Sequence, residues 1–163
     1  MSASIRVLTS FVIALPLGFL AIAIGVEGAF GLVFIAALLG LLYGWIWLWW
    51  RPSGFEVLPN ALVIHFPLRR RSTPRSELVS TEHFARGAEL REHLGFAVRI
   101  GAGGLFGGFG WLWTRNLGLV EFYVSRTDDL VLIERQGKRP LLVTPERTSE
   151  FCDALALPTS ARR

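Results

Sequence analysis

The chain has one cysteine, Cys152, one lysine, Lys138, and a single charged side chain, Glu27, between Val7 and Trp50. The lone thiol excludes an internal disulfide and any cysteine-cluster metal site, and it is compatible with a reducing compartment. Neither GKS nor GKT occurs, so no phosphate-binding loop is present. The dinucleotide fingerprint fails as well: Gly101 and Gly103 are in place, but Phe106 takes the third glycine position. No GxSxG phrase marks a nucleophile elbow. His65, His83 and His93 are too scattered for a helical metal pair, and each is read as a structural or surface histidine. Nucleic-acid binding lacks a helix-turn-helix or stacking pattern. With no catalytic constellation, no cofactor and no metal site legible, the chain is expected not to be an enzyme.

The scarcity of charge before Trp50 is also the main positive signal. Residues 28–50 (GAFGLVFIAALLGLLYGWIWLWW) run for about 23 residues without a charge, close to what a helix needs to cross the hydrocarbon of a bilayer. Residues 7–26 (VLTSFVIALPLGFLAIAIGV) form a second apolar segment of about 20, with Pro16 predicting a kink that membrane helices tolerate. A cleaved signal peptide competes for this first segment, given Arg6 and the Ala21-Ile22-Ala23 tripeptide. The second span follows too closely for that, and a tight transmembrane helical hairpin over residues 1–50 is the preferred reading.

Tyr43, Trp45, Trp47, Trp49 and Trp50 crowd the end of the second span, followed at once by Arg51 and Pro52. Such rings favour the headgroup level, so these five are the expected interfacial anchor. Arg6 precedes the first span, Arg51 and residues 69–71 follow the second, and the turn between holds Glu27 but no base. The positive-inside rule then places both termini in the cytoplasm. Small residues recur four apart: Ala14 and Gly18, Ala21 and Gly25, and Ala36, Gly40 and Gly44. They suit close helix packing, either between the two spans of one chain or as a seam between copies.

Beyond Trp50 charge returns. Of 17 Lys and Arg only Arg6 lies earlier, and of 13 Asp and Glu only Glu27, which leaves 16 bases and 12 acids interspersed over residues 51–163. This length suits one compact domain. Residues 55–58 and 61–66 read as strand, turn, strand, with Leu62, Ile64 and Phe66 alternating onto one face. Residues 67–75 (PLRRRSTPR) break the pattern, 77–84 resume a strand, 85–94 are a loop or one helical turn, and 95–100 are strand-like. Residues 119–125, 129–135 and 140–144 read as three strands joined by two antiparallel hairpins. A helix over about 145–156 follows, with Thr144 as N-cap, Pro145 first and Glu146 at the positive dipole end, and Phe151 and Leu155 share one face. About seven short antiparallel strands and one amphipathic helix make a small bent sheet or partial barrel with a helical cap.

Residues 101–118 (GAGGLFGGFGWLWTRNLG), then LVEFYVS, LVLIERQGKRPLLVTP and ERTSEFCDAL, resemble the bacterial pleckstrin-homology-like (PH-like) domains, membrane-associated proteins that join one or two transmembrane helices to a PH-like barrel. Val143-Thr144-Pro145-Glu146 and Phe151 fill the family phrase that opens the capping helix. The resemblance covers roughly residues 54–157 and implies a mostly-β PH-like fold, a bacterial inner membrane setting and no established catalytic residues.

Two stretches offer contacts. Residues 101–113 (GAGGLFGGFGWLW) set aromatic rings on a glycine-rich backbone that lies in the domain core, at the membrane or against the Trp-rich end of the second span, or in a partner's groove. Arg69, Arg70, Arg71 and Arg75 form the concentrated basic run, read either as a solvated loop or as an anionic-leaflet contact. The candidate lipid or membrane contacts are therefore these four arginines with Phe106, Phe109, Trp111 and Trp113. Cys152 is read as a packed thiol. The expected function is a non-enzymatic, membrane-anchored scaffold or interaction module, partnered by the bilayer and by itself or another membrane protein. Anionic-lipid sensing and an accessory subunit of a transporter or envelope enzyme are the alternatives.

Overall fold

The computed structural model describes residues 3–26, 29–103 and 107–156. Two helices, α1 (Ala3–Gly25) and α2 (Phe30–Trp49), precede nine strands and two further helices. Both are long and apolar enough to cross a membrane. Glu27 and Gly28, in the expected turn, lie outside the described residues. Along α1 the more covered positions are Thr9, Val12, Pro16, Phe19 and Ala23, and along α2 they are Leu32, Ala36, Leu39, Tyr43 and Ile46. This spacing of three and four is the seam of an antiparallel pair. It corrects the small-residue stripes as the contact between the two spans of one chain: only Ala36 is buried, while Ala14, Gly18, Ala21, Gly25, Gly40 and Gly44 all turn outward, the side a seam between copies would use. The seam is filled by larger side chains, which leaves the glycines no part in it.

The β-domain has two sheets. β1 (Gly54–Val57), β2 (Ala61–His65) and β3 (Arg70–Pro74) form an antiparallel meander. β4 (Leu78–Arg86), β5 (Ala97–Gly103), β6 (Gly108–Thr114), β7 (Gly118–Val124), β8 (Asp128–Arg135) and β9 (Leu141–Val143) form a sheet ordered β4-β8-β9-β7-β6-β5. Nine strands replace the expected seven because two stretches read as irregular are strands. The basic run is β3, paired with β2 from Ala61↔Pro74 to His65↔Arg70, and the glycine-aromatic stretch extends the expected strand at 95–100 to the end of β5 and supplies β6. The alternation of β3 is invisible in the sequence because its inward positions, Arg71 and Thr73, are as polar as the exposed Arg70 and Ser72.

The expected hairpin between residues 119–125 and 129–135 is not formed. β9 sits between β7 and β8, antiparallel to β8 as expected but parallel to β7, so the domain is not wholly antiparallel. The Ser125 amide donates to the Thr144 hydroxyl at 2.8 Å, fastening the loop after β7 to the end of β9. That bond also explains a shorter last helix, α4 (Thr148–Leu155). Thr144 is buried rather than capping, and the Pro145 carbonyl accepts from Arg126 Nη2 at 2.6 Å and from the Thr148 hydroxyl at 3.2 Å, which holds residues 144–147 out of the helix.

The six-stranded sheet is covered on both faces over β4, β8, β9 and β7. Leu62, Ile64 and Phe66 from the small sheet meet Phe109, Tyr123, Val131, Ile133, Leu141 and Val143, with Phe151 and Leu155 of α4 closing this core. Leu90 and Leu94 of α3 (Gly87–Leu94) cover the opposite face over Phe84, Val120, Phe122, Leu130, Leu132 and Leu142. α3 is two turns where one turn or a loop is expected, ended by Gly95 at φ 67° and by Asn116 Nδ2 donating to the His93 carbonyl at 2.7 Å.

Candidate functional site at the helix–domain junction

The end of α2 divides its aromatic residues between two environments. Trp45 and Trp49, one turn apart, stack with centroids 4.8 Å apart and stay exposed. Trp47 is also exposed, with the Arg51 guanidinium 4.1 Å over its ring. Tyr43 is half-buried on the α1 side. Trp50 instead turns into the β-domain: with Ile46 it packs on the core between the sheets, and its ring meets Trp111 edge-on at 6.2 Å. Arg69 reaches over the same ring at 5.8 Å and over Phe66 at 4.5 Å. The transmembrane-type helix and the β-domain thus share side-chain packing, which a flexible linker would not provide.

β6 carries the glycine-aromatic residues on one face in graded exposure. Residues opposite one another in paired strands share a face, so Phe109 with Tyr123, Trp111 with Glu121 and Trp113 with Leu119 all turn toward the small sheet. Phe109 is core, 3% exposed, which removes it from the candidate membrane contacts. Trp111 is partly covered by Trp50, and Trp113 is open. Phe106 lies outside the described residues. The glycines let the strands approach: at Gly110 (φ 134°) a Cβ would stand 2.6 Å from the Ile100 carbonyl oxygen, across the pair Gly101↔Gly110.

The basic run is dispersed by its strand geometry. Arg71 donates to Glu121 across the core, and Arg75 donates to the last carbonyls of α4, those of Ala154 at 2.9 Å and of Leu155. Only Arg69 and Arg70 stand outward. Glu121 gathers three donors: Arg71, Tyr123 Oη at 2.9 Å and Arg135 Nη2 at 2.9 Å. Burial alone would raise its carboxyl, but the bonds from Arg135, Tyr123 and Arg71 outweigh it and hold the group below the usual carboxylate range. Burial first, then the Glu121 charge, pushes the Tyr123 phenol up to about 12. This network ties the sheets together and was not read from the sequence, where its members lie up to 64 positions apart, from Arg71 to Arg135.

The remaining polar groups stay local. His65 bonds Glu56 at 2.7 Å, His83 faces Asp129 at 3.4 Å and His93 faces Glu82 at 3.6 Å, each histidine with a different carboxylate. Burial, then the charge of Asp153, pushes the Cys152 thiol up, and its side chain packs against the core. A cleft of about 610 Å³ between the segment after α2 and α4 is lined by Arg51, Ser53, Phe55, Thr144, Arg147 and Phe151, among others.

No curated protein and no solved structure matches the chain. A family model described as bacterial PH domain matches residues 55–157, over half of the sequence and all but the first residue of the β-domain from β1 through α4. The chain therefore belongs to the bacterial PH domain family.

Proposed function

We propose that this chain is a non-enzymatic, membrane-anchored interaction module. α1 and α2 cross a bacterial inner membrane as a hairpin, with the ends that carry Arg6 and Arg51 on the cytoplasmic side. The PH-like domain stands at that surface and recruits a second copy or another membrane protein. The observation that carries this reading is the junction, where Ile46 and Trp50 pack on the domain core and Trp50 meets Trp111. A domain fixed at the bilayer has a raised effective concentration toward other membrane proteins, so weak contacts suffice. Anionic-lipid sensing is less favoured, because two of its four arginines, Arg71 and Arg75, are half-buried and engaged within the domain, by Glu121 and by the last carbonyls of α4. At roughly 1 kcal/mol per juxtamembrane base, Arg69 and Arg70 give a small bias.

The test is cross-linking in intact bacterial membranes, followed by purification of the tagged full chain in mild detergent. A second copy or a reproducible membrane protein should co-purify. In an Arg70→Cys variant, blocking reagents that do not cross the membrane should fail to reach the introduced thiol. A chain recovered alone and monomeric, or a thiol at position 70 blocked from outside, refutes the reading.

A further inference from the structure

On the face of the six-stranded sheet turned toward β1, β2 and β3, the covering layer ends before the sheet does. The small sheet and α4 cover Phe109, Trp50 at the end of α2 covers part of Trp111, and nothing among the described residues covers the face beyond. Register places Ile100 opposite Trp111 and Val98 opposite Trp113, and Phe96 immediately precedes the strand, its carbonyl accepting from the Arg115 amide at 2.9 Å. Phe96 is 69% exposed, Ile100 53% and Trp113 46%. Arg99, the charged residue of β5, turns to the other face, its guanidinium 5.4 Å over the Phe122 ring. The open positions along the edge strand β5 and its neighbour β6 are thus apolar, with aromatic rings at Phe96, Trp111 and Trp113, and the charged pair Arg71–Glu121 lies beside them toward β7. In water such an edge invites association.

We propose that the face formed by Phe96, Val98, Ile100, Trp111 and Trp113 lies in the interfacial layer of the bilayer that α1 and α2 cross, and so fixes the orientation of the β-domain on the membrane. This rests on the reading that the two helices span the bilayer. The occupant follows from continuity. Trp50, at the end of α2, is the last covering group of this face, and Trp45, Trp47 and Trp49 expose their rings on the turns just before it. Whatever medium surrounds those rings also meets the sheet next to Trp111. Tryptophan and phenylalanine beside aliphatic residues suit the headgroup and upper acyl region, where rings are stabilised without full burial in hydrocarbon. The arrangement gives the domain two fixed points on the membrane, α2 and the sheet edge, and a single rotational setting about the helix axis.

The experiment uses the full chain with Cys152→Ala in nanodiscs of phosphatidylcholine and phosphatidylglycerol. Single cysteines from Val98→Cys, Trp113→Cys, Leu48→Cys and Glu89→Cys carry an environment-sensitive fluorophore, and lipids spin-labelled near the headgroup serve as quenchers. Labels at 98 and 113 are expected to shift to the blue and to be quenched as the label at 48 is, while the label at 89, exposed on α3, shows neither effect. Both test side chains are exposed, so labelling removes no core contact, and two positions keep the test intact if one variant fails to fold. Quenching at 48 with water-like, unquenched labels at 98 and 113 overturns the proposal and leaves the spanning helices standing. Blue-shifted but unquenched labels at 98 and 113 assign the face to protein, such as a second copy pairing along β5, and also overturn it. An unquenched label at 48 refutes the spanning reading and the proposal with it.

Discussion

Glu121→Ala should be among the most damaging single changes in the β-domain outside its apolar core. The Glu121 side chain is 11% exposed and its carboxylate accepts from Arg71, Tyr123 and Arg135. The three losses differ in size. Arg71 has a side chain 40% exposed and turns to water when its partner is gone, so Arg71→Ala costs about 1 kcal/mol or less. Tyr123 loses one hydrogen bond, about 1 kcal/mol. Arg135 has a side chain only 2% exposed and keeps just the Arg139 carbonyl at 2.7 Å, so its charge is stranded in the core. Breaking a buried pair from one side costs about 3–5 kcal/mol, and this term decides the total. Denaturant unfolding of the full chain in detergent micelles, followed by near-ultraviolet circular dichroism, measures it. The double variant Glu121→Ala/Arg135→Ala should lose less than the sum of the singles, because no charge is left behind. A cost for Glu121→Ala below about 1 kcal/mol, or additivity in that cycle, refutes the reasoning.

The same network sets the pH limits of the domain. The folded carboxyl of Glu121 lies below its ordinary 4.5, so its contribution is present above that pH and is lost as pH falls through the folded value; Glu121→Gln should flatten this acid limb in melts taken across the range. The Tyr123 phenol is raised from 10.0 to about 12, so its contribution holds below pH 10 and is lost as pH rises toward 12, an alkaline limb that Tyr123→Phe should remove. Gly110→Ala sets a Cβ 2.6 Å from the Ile100 carbonyl at φ 134°, and a loss of about 1–3 kcal/mol with faster amide exchange in β5 and β6 is expected; unchanged exchange there would contradict the close approach. Arg75→Ala frees the last carbonyls of α4 and should cost about 1–2 kcal/mol, with exchange rising in α4 more than in β3. Trp50→Ala and Trp111→Ala should couple by about 0.5–1.5 kcal/mol in thermal unfolding, and a coupling of zero would mean that helix and domain are not packed together.

Some of this protein is written in local patterns. Two long uncharged stretches specify two membrane-length helices, because the length and the lack of charge lie within each segment. The alternation of Leu62, Ile64 and Phe66 and the four-residue step from Phe151 to Leu155 name core faces, and all five residues are buried. The resemblance that rests on residues 101–157 gives the family, and a match over residues 55–157 bears it out. α3 left a weaker trace, Leu90 and Leu94 four apart before Gly95, on a short and polar background.

Other features depend on what comes from far along the chain. The basic run looked like one patch because its four arginines are near neighbours in sequence. As a strand, β3 sends alternate side chains to opposite faces, so Arg71 turns inward to Glu121 while Arg70 stays outside. β9 enters between β7 and β8, which no hairpin spacing announces, because a parallel neighbour is set by long-range pairing. The aromatic residues were separable only in three dimensions: Phe109, Trp111 and Trp113 have the same spacing and the same face, yet one is core, one meets Trp50 and one is open. Sequence determined the membrane-length helices, the family and the main core stripes, since these follow from runs and periods. Tertiary structure alone decided which charges and rings remain available at the junction of α2 with the β-domain, since availability depends on which distant side chain arrives to cover them.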